Sequence, residues 1–566
     1  VKYRWKIAEK QSARATELAQ AAGISPLLAQ CLINRGIDTP ELIHPFLHPR
    51  LKQLADPFLL PNMHAAVERL LVAREKGEQV VIFGDYDVDG VTATAILLEC
   101  LSALGWKLSH YLPHRMDEGY GFSADAVGHC LEQHPASLIL AVDCGSTAVE
   151  TIASVKSKGI DVIVLDHHQL SVPAPAAAAL VNPQLGDRFH ELCSAGLAFK
   201  LVHALLKKMR AEGLVDENCL DLRLQLDLVV LGTVADLAPL RGENRIFAAA
   251  GLERLNATRR PGLVALKAVA RCPAKIGSYE IAFQLAPRLN AAGRMQNADE
   301  ALRLVLARDL PEAEALANNL HKRNQERQET ERQICAEVIA TVRERFNAEA
   351  DFVIVEGEQH WHLGVVGIVA ARVLQEFHRP TIILGGDNGM WRGSGRSIEG
   401  FDLAAALREC GEYLSRHGGH AMAAGLTVAP EHLVALRARL NDLARRSLKP
   451  EHLQPSILVD ASVLLAELTE EQIVELALLE PVGQGNPPVR LALCGMRHAH
   501  PPRRMGRDEQ HAKFRVSDGR KTMEAVWWNA GEGPWPEGEF DLAFTAAMNE
   551  YQGRRMPQLR VLDWRA

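Results

Sequence analysis

Three aspartates spaced by single residues, Asp85, Asp87 and Asp89, stand in Gly84-Asp85-Tyr86-Asp87-Val88-Asp89-Gly90, after an apolar run ending at Phe83 and before a helical pattern starting near Val91. Alternate side chains of an extended backbone point to one side, so the three carboxylates can converge. Adjacent carboxylates repel unless a cation joins them; the bland reading is a solvated acidic turn. Two further apolar runs end the same way, residues 138–142 in Asp143 and residues 162–165 in Asp166-His167-His168. A fourth acid closes Gly232-Thr233-Val234-Ala235-Asp236. Solvation alone would need acids after three separate strands by coincidence, whereas ligands of open α/β sheets gather outside the carboxyl ends of the strands. Carboxylates mixed with imidazole suit Mn²⁺ first, with Mg²⁺ next, better than Ca²⁺ or a thiol-bound Zn²⁺. Five or more ligands are too many for one catalytic ion with open positions. Two ions about 3.5–4 Å apart, sharing a carboxylate, fit better, and their chemistry is hydrolysis of a phosphate ester or anhydride. No Gly-x-Ser-x-Gly elbow occurs, and no Lys-Ser/Thr follows the Gly84–Gly90 loop, so neither a serine nucleophile nor ATP is implied.

These acids need strands to carry them. Short apolar runs at 79–84, 137–142 and 161–165 alternate with helical stretches, which predicts a parallel sheet covered by helices. An apolar helix over 222–235 closes that block. Residues 311–346, rich in Glu, Gln and Arg, predict one or two continuous helices bridging two lobes, with a coiled-coil arm as the alternative. A second α/β segment follows, with strands at 352–356 and 381–384 around a helix at 366–377, ending near Leu448. Past Pro455 come short strands, four of the eight tryptophans and turn signals at Gly485-Asn486-Pro487-Pro488 and Asp518-Gly519, the pattern of a small barrel. The expected layout is an N-terminal helical segment (1–50), a domain carrying the acidic set (51–250), a connecting region with the long helix (251–346), a second α/β domain (347–455) and an OB-like barrel (456–566). The fold class is α/β.

At 566 residues, 47% of them hydrophobic and 23% charged, the chain predicts a folded multidomain protein. No run of about eighteen apolar residues could span a bilayer. The first ten residues carry Lys2, Arg4, Lys6 and Lys10 without an apolar stretch, so secretion is not expected. Ten scattered cysteines without a zinc-type spacing fit a reducing cytoplasm. A net charge of -7 argues against coating nucleic acid over the whole surface. Contacts must come from basic patches.

The Asp-x-Asp loop, the Asp-His-His triplet and the later single aspartates resemble the motif set of the DHH phosphoesterases, over residues 80–240. That resemblance implies that Asp87, Asp89, Asp143, Asp166, His167 and Asp236 hold metal, that Asp85 belongs to the catalytic set, and that His168 faces the scissile phosphate. Many relatives carry a His where this chain has Phe83. The second lobe is similar to the DHH-associated domain through Ser394-Gly395-Arg396-Ser397 and Gly418-Gly419-His420-Ala421-Met422-Ala423-Ala424-Gly425. Glycines there admit backbone amides to a phosphate, and Ser394, Arg396, Ser397 and His420 are the expected substrate contacts; a glycine-rich helix entrance is the alternative. Glu118-Gly119-Tyr120-Gly121 and Pro287-Arg288-Leu289-Asn290-Ala291-Ala292-Gly293-Arg294 narrow the resemblance to the single-strand exonuclease branch, over nearly the whole chain. It implies 5′-to-3′ degradation of single-stranded DNA to mononucleotides in repair and recombination, by a monomer whose possible companions include a single-strand-binding protein and a helicase.

Backbone contacts are expected from Arg115, Arg288, Asn290 and Arg294 near the site, and from Arg503, Arg504, Lys513 and Arg515 on the barrel. Residues 497–521 hold eight Lys or Arg against three acids. Phe514, Trp527, Trp528 and Tyr551 are candidate stacking faces, with at least one of the adjacent tryptophans expected in the barrel core. Two other functions stay open: a phosphodiesterase for short oligoribonucleotides or small nucleotides, and a non-catalytic DNA-binding scaffold, whose signature would be a broken acidic set.

Overall fold

The structure is a computed structural model that describes residues 3–114, 118, 121–295, 297–387, 389–530, 535–551 and 553–566. The chain forms two compact units, one of residues 7–323 and 459–566, the other of residues 1–6 and 324–458.

The larger unit is built on a five-stranded parallel sheet in the order Lys107–Tyr111, Gln79–Phe83, Leu138–Val142, Asp161–Leu165, Ala179–Val181. The central strands are apolar throughout because both faces are covered. Val80, Ile82, Leu140 and Val142 enter one core with the helices Val88–Ala103, Ser194–Ala211 and Leu226–Ala235. Val81, Phe83, Ile139 and Ala141 enter the other, with Ala124–Gln133 and Val149–Ser157. Phe83 is fully buried there against Phe122, ring centroids 4.9 Å apart. It points no polar atom anywhere.

The C-terminal strands close a barrel. Leu491–Met505 pairs with both His511–Ser517 and Phe540–Tyr551, and Arg554–Arg565 links Phe540–Tyr551 to Thr522–Trp527. The N-terminal helices Ser12–Ala22, Pro26–Ile33 and Pro40–Leu47 share one continuous core with the barrel, Leu28 and Leu32 belonging to the same buried cluster as Leu491, Phe514 and Phe544. Read in sequence as a segment of its own, this region caps the barrel.

A single helix, Leu310–Arg345, carries the chain from one unit into the other. The smaller unit is a mixed sheet in the order Leu414–His420, Ala423–Val428, Met390–Arg396, Thr381–Asp387, Ile354–Glu358. Only its last two strands are parallel to each other. The Gly418–Gly425 motif lies in a hairpin of this sheet, not at a helix entrance.

Within the larger unit Arg245, 2% exposed, joins regions distant in sequence. It donates to the carbonyls of Phe46, Leu478, Leu479, Glu480 and Pro481, and its guanidinium lies 3.9 Å above the Phe46 ring. Arg245→Met keeps much of the volume but leaves those carbonyls without this donor, at ~1–3 kcal/mol for each that stays buried and unsatisfied. A lower urea midpoint and a new protease cut between residues 48 and 56 are expected; an unchanged midpoint would remove Arg245 from this role.

Candidate metal centre

The acidic loop follows strand Gln79–Phe83 and turns into the helix Val88–Ala103. Asp87 caps that helix, its Oδ1 accepting from the amides of Asp89 (2.9 Å) and Gly90 (3.1 Å). A side chain at Gly90 would strike the Asp85 carbonyl at 2.6 Å, so only glycine lets the loop fold this tightly. Asp89, 1% exposed, accepts from the Ser194 and Ala195 amides at 2.7 and 2.9 Å, at the start of Ser194–Ala211. A helix N-terminus is thus aimed at a buried carboxylate. The helix ending in Asp236 comes close because Gly232 lacks a Cβ, which would lie 2.7 Å from Asp89 Oδ1.

Asp143 follows strand Leu138–Val142 with φ +64°, a left-handed backbone that a non-glycine residue adopts only under local constraint. Its amide donates to Leu165 and its Oδ1 accepts from Ser194 Oγ at 2.8 Å. His167 completes the arrangement. Its Nε2 is buried, has no hydrogen-bond partner among the described residues, and stands 3.4 Å from Asp143 Oδ1 and 3.8 Å from both Asp89 Oδ2 and Asp236 Oδ2.

Three groups offer donor atoms within 4.8 Å of one another: Asp89, His167 and Asp236; Asp143, His167 and His168; and Asp85, Asp87 and Asp143. Asp143 and His167 each serve two groups. A carboxylate such as Asp143 can be shared by two neighbouring ions, whereas the His167 nitrogen has one lone pair for one of them, and that orphaned nitrogen among carboxylates fits a cation.

Electrostatics agree. Burial, then the negative charge of Asp89, Asp87, Asp85 and Asp236, pushes the Asp143 carboxyl well above its usual range. Burial and then Asp89 and Asp87 raise Asp236 to about 8. Asp166 is the exception. Burial opposes its ionisation, yet the hydrogen bond and charge of His168 outweigh that and hold it well below the usual carboxylate range. Its Oδ1 meets the His167 amide, the His168 amide and His168 Nδ1, and its Oδ2 accepts from the Ser146 amide. Asp166, expected among the ligands, is in none of the three groups and fixes the His168 ring through Nδ1.

The other expected contacts divide. Arg115 lies outside the described residues. Asn290, expected at the substrate, places its Oδ1 on the Val88 amide at 3.1 Å, and Gly293 lets the same helix, Ala286–Met295, reach within 2.7 Å of the Tyr86 carbonyl, measured from where a Cβ would stand. That helix braces the acidic loop. Arg288 donates to Gln284 O and His321 Nδ1, and Arg294 lies near the helix end. In the smaller unit Arg396 Nη1 donates to Ser394 Oγ at 2.8 Å, and both side chains come within about 3.1 Å of the space a Cβ at Gly367 would take, beside the first turn of Val366–Phe377. Ser397 donates to Phe401 O, and His420 is exposed. On the barrel, Arg503, Lys513 and Arg515 are exposed, with Lys513 paired to Glu524, while Arg504 sits 5.3 Å over Trp535. Phe514 is buried and Trp527 packs at the core's margin; Trp528, 53% exposed, is the accessible one. The Tyr551 side chain lies outside the description.

Sequence reasoning missed the Ser194 and Ala195 amides and the Ser146 amide. A serine just before a long apolar helix pattern was the available signal for the first pair.

Comparison with known proteins now bears on the site. Residues 79–233 match the DHH family N-terminal domain, 350–446 the DHHA1 domain and 459–563 the RecJ OB domain. The single-stranded-DNA-specific exonuclease RecJ of Bacillus subtilis is 37% identical over 99% of this chain and 71% of its own length. The chain belongs to the RecJ family. The Escherichia coli RecJ is 34% identical, over 95% of this chain and 96% of its own. The crystal structure of Thermus thermophilus RecJ in complex with Mn²⁺ superposes with a TM-score of 0.86 at 31% identity, covering all of this chain and 80% of that one; its Mg²⁺ complex gives 0.79 at 30% identity, over all of this chain and 79% of that one. A RecJ-family centre that takes divalent cations, Mn²⁺ or Mg²⁺, accounts for this donor set.

In the metal-free protein Asp236 is protonated at neutral pH when folded and ionised when unfolded. The folded state then binds the extra proton, so this contribution to stability is lost as pH rises from about 4 through about 8. Melting in chelator should fall over that range, Asp236→Asn should flatten the fall, and the gain from Mn²⁺ should be larger at pH 8 than at pH 6; an identical slope in the variant would refute the assignment. Asp166→Ala is expected to lower activity ~10–100-fold, because it removes the partner that orients the His168 ring.

Proposed function

We propose that the chain is a metal-dependent exodeoxyribonuclease specific for single-stranded DNA, working 5′ to 3′ and releasing mononucleotides in repair and recombination. The observation that carries the reading is the convergence of Asp85, Asp87, Asp89, Asp143, His167 and His168 at successive strand ends, with Asp236 from the end of the helix Leu226–Ala235, in a RecJ-family fold. Asp87, Asp89, Asp143, His167 and Asp236 are the residues that would hold two divalent cations. Bound there, the ions supply a water nucleophile at neutral pH and charge stabilisation for the oxygens of an in-line displacement.

The chain's own groups do the rest. Asp89 keeps its two oxygens fixed through the Ser194 and Ala195 amides, so the donor set is preorganised. Burial would lower His168, but Asp166 raises it to about 9, which makes Nε2 a cationic donor for a non-bridging phosphate oxygen. On the smaller unit Arg396 and Ser394 offer a fork and a hydroxyl beside a helix N-terminus, a combination suited to a phosphate, with Ser397 and His420 as further contacts; on the larger unit Arg115, Arg288 and Arg294 are separate contacts for the strand. Arg503, Arg504, Lys513 and Arg515 guide the strand across the barrel. In this reading the chain acts as a cytoplasmic monomer, and proteins that bind or unwind DNA, a single-strand-binding protein and a helicase, supply its strands. Among the described residues no helix is long and apolar enough to cross a membrane.

A 5′-labelled single strand should release labelled mononucleotide with Mn²⁺ or Mg²⁺ and none with chelator, while blunt duplex resists. Equal digestion of duplex and single strand, or internal cuts, would sink the proposal. Asp143→Ala should take activity to background with the fold retained. Replacing Arg503, Arg504, Lys513 and Arg515 with Gln should reduce the slope of log affinity against log salt by roughly 3, as four phosphate contacts on a single strand require.

A further inference from the structure

Tyr279 and Phe283 are 64% and 66% exposed, and their rings pack against each other with centroids 4.8 Å apart at 37°. Two large rings held together in solvent are unusual for a folded surface, where such area marks a contact site. The segment under them is rigid. Ile276 is pinned on both sides by Asn256, which accepts from its amide at 2.7 Å and donates to its carbonyl at 2.9 Å. Glu280, the acid of this turn, accepts from the Gly277 amide at 2.7 Å. Ile281 and Leu285 are fully buried on the inner face, in one wide π-type turn over Ile281–Leu285, and such turns concentrate at functional sites. The outer face is therefore presented, not accidentally unpacked.

Three cations lie close to the rings in sequence. Arg271 and Lys275 are exposed, Arg288 is half-buried, and among the described residues no carboxylate lies within ion-pair distance of any of the three. Burial, then the charges of Arg288 and Arg271, pushes the His321 imidazole down, as expected where cations stand uncompensated. The aromatic turn also runs directly into Ala286–Met295, the helix that braces the acidic loop through Asn290 and Gly293. From Phe283 to Asn290 is seven residues, roughly 10 Å of helix.

We propose that Tyr279 and Phe283 form a base-stacking platform on the larger unit, which receives unpaired bases of the DNA strand while Arg271, Lys275 and Arg288 take its phosphates. Aromatic faces combined with unpaired cations are the chemistry of single-strand binding, and a paired base offers no free face to such a platform. The inference rests on the exonuclease reading and adds where that strand lies and why it must be single. A protein's apolar patch would use the rings but not three cations that lack a carboxylate partner among the described residues.

The test uses the full chain with turnover blocked by Asp143→Ala, a dye-labelled twenty-residue oligodeoxyadenylate, and the same strand carrying abasic positions. The blocked chain should prefer the strand with bases. Adding Tyr279→Ala and Phe283→Ala should weaken binding of that strand roughly five- to a hundredfold, leave the abasic strand bound as before, and so erase the preference. Both rings are mostly solvent-exposed, so the melting temperature should match the parent's, and Tyr279→Phe with Phe283→Trp should keep the preference. Equal losses on both strands, or no loss on either, overturn the platform; the latter is also the result for a protein-docking patch. A wild-type chain that cuts no single strand would instead overturn the enzyme reading, so the two failures are distinct.

Discussion

The repulsion among buried carboxylates at the strand ends constrains this protein more than any other interaction. Asp85, Asp89 and Asp143 are at most 2% exposed and share one small volume with Asp87 and Asp236. No arrangement of neutral side chains would tolerate that charge. The fold meets it partly with fixed dipoles, the Ser194 and Ala195 amides on Asp89 and the first turn of Val88–Ala103 on Asp87, and leaves the remainder for divalent cations. Several otherwise unrelated features follow. Gly90, Gly232 and Gly293 stand where a single Cβ would push a carboxylate-bearing element away, and Asp143 keeps a left-handed backbone that turns its side chain inward.

Histidine is divided between two duties by one carboxylate. The Nε2 of His167 is left without a hydrogen-bond partner among the described residues and faces three acids, while His168 is locked by Asp166 through Nδ1. Adjacent residues of one type thus acquire different chemistry because the chain turns between them. Asp166 can stay ionised in a buried place because three amides and an imidazole meet it, whereas Asp143 and Asp236 have mostly like charge for company.

The larger unit is held as one body by buried arginines that use carbonyls as well as carboxylates. Arg245 collects five backbone oxygens from the N-terminal helices and residues 478–481, and Arg35 joins Cys31, Asp460, Asn486 and Pro487. A planar five-donor group can satisfy several chain ends at once, which lysine cannot. The barrel and its helical cap are thereby fixed to the domain that carries the acids, and the aromatic turn at Tyr279 is fixed to the same body through Ile276 and Asn256.

Much of this was legible in the amino-acid sequence. The apolar runs before Asp85, Asp143 and Asp166 fixed three of the five parallel strands and the end of the sheet where chemistry gathers, because a strand buried on both faces must be apolar throughout. The short polar-edged strands Lys107–Tyr111 and Ala179–Val181 escaped notice, since sheet-edge strands need no such run. The long helix and the barrel were also readable from periodicity and turn residues. What only the tertiary structure decided are matters of burial and distant partners. Asp166 orients a ring, Asn290 braces a loop, Phe514 is core, the N-terminal helices cap the barrel, and Tyr279 with Phe283 stay outside. A side chain's type and spacing state what it can do; which atoms reach it across a hundred or more residues of chain, and whether water does, is determined only by packing.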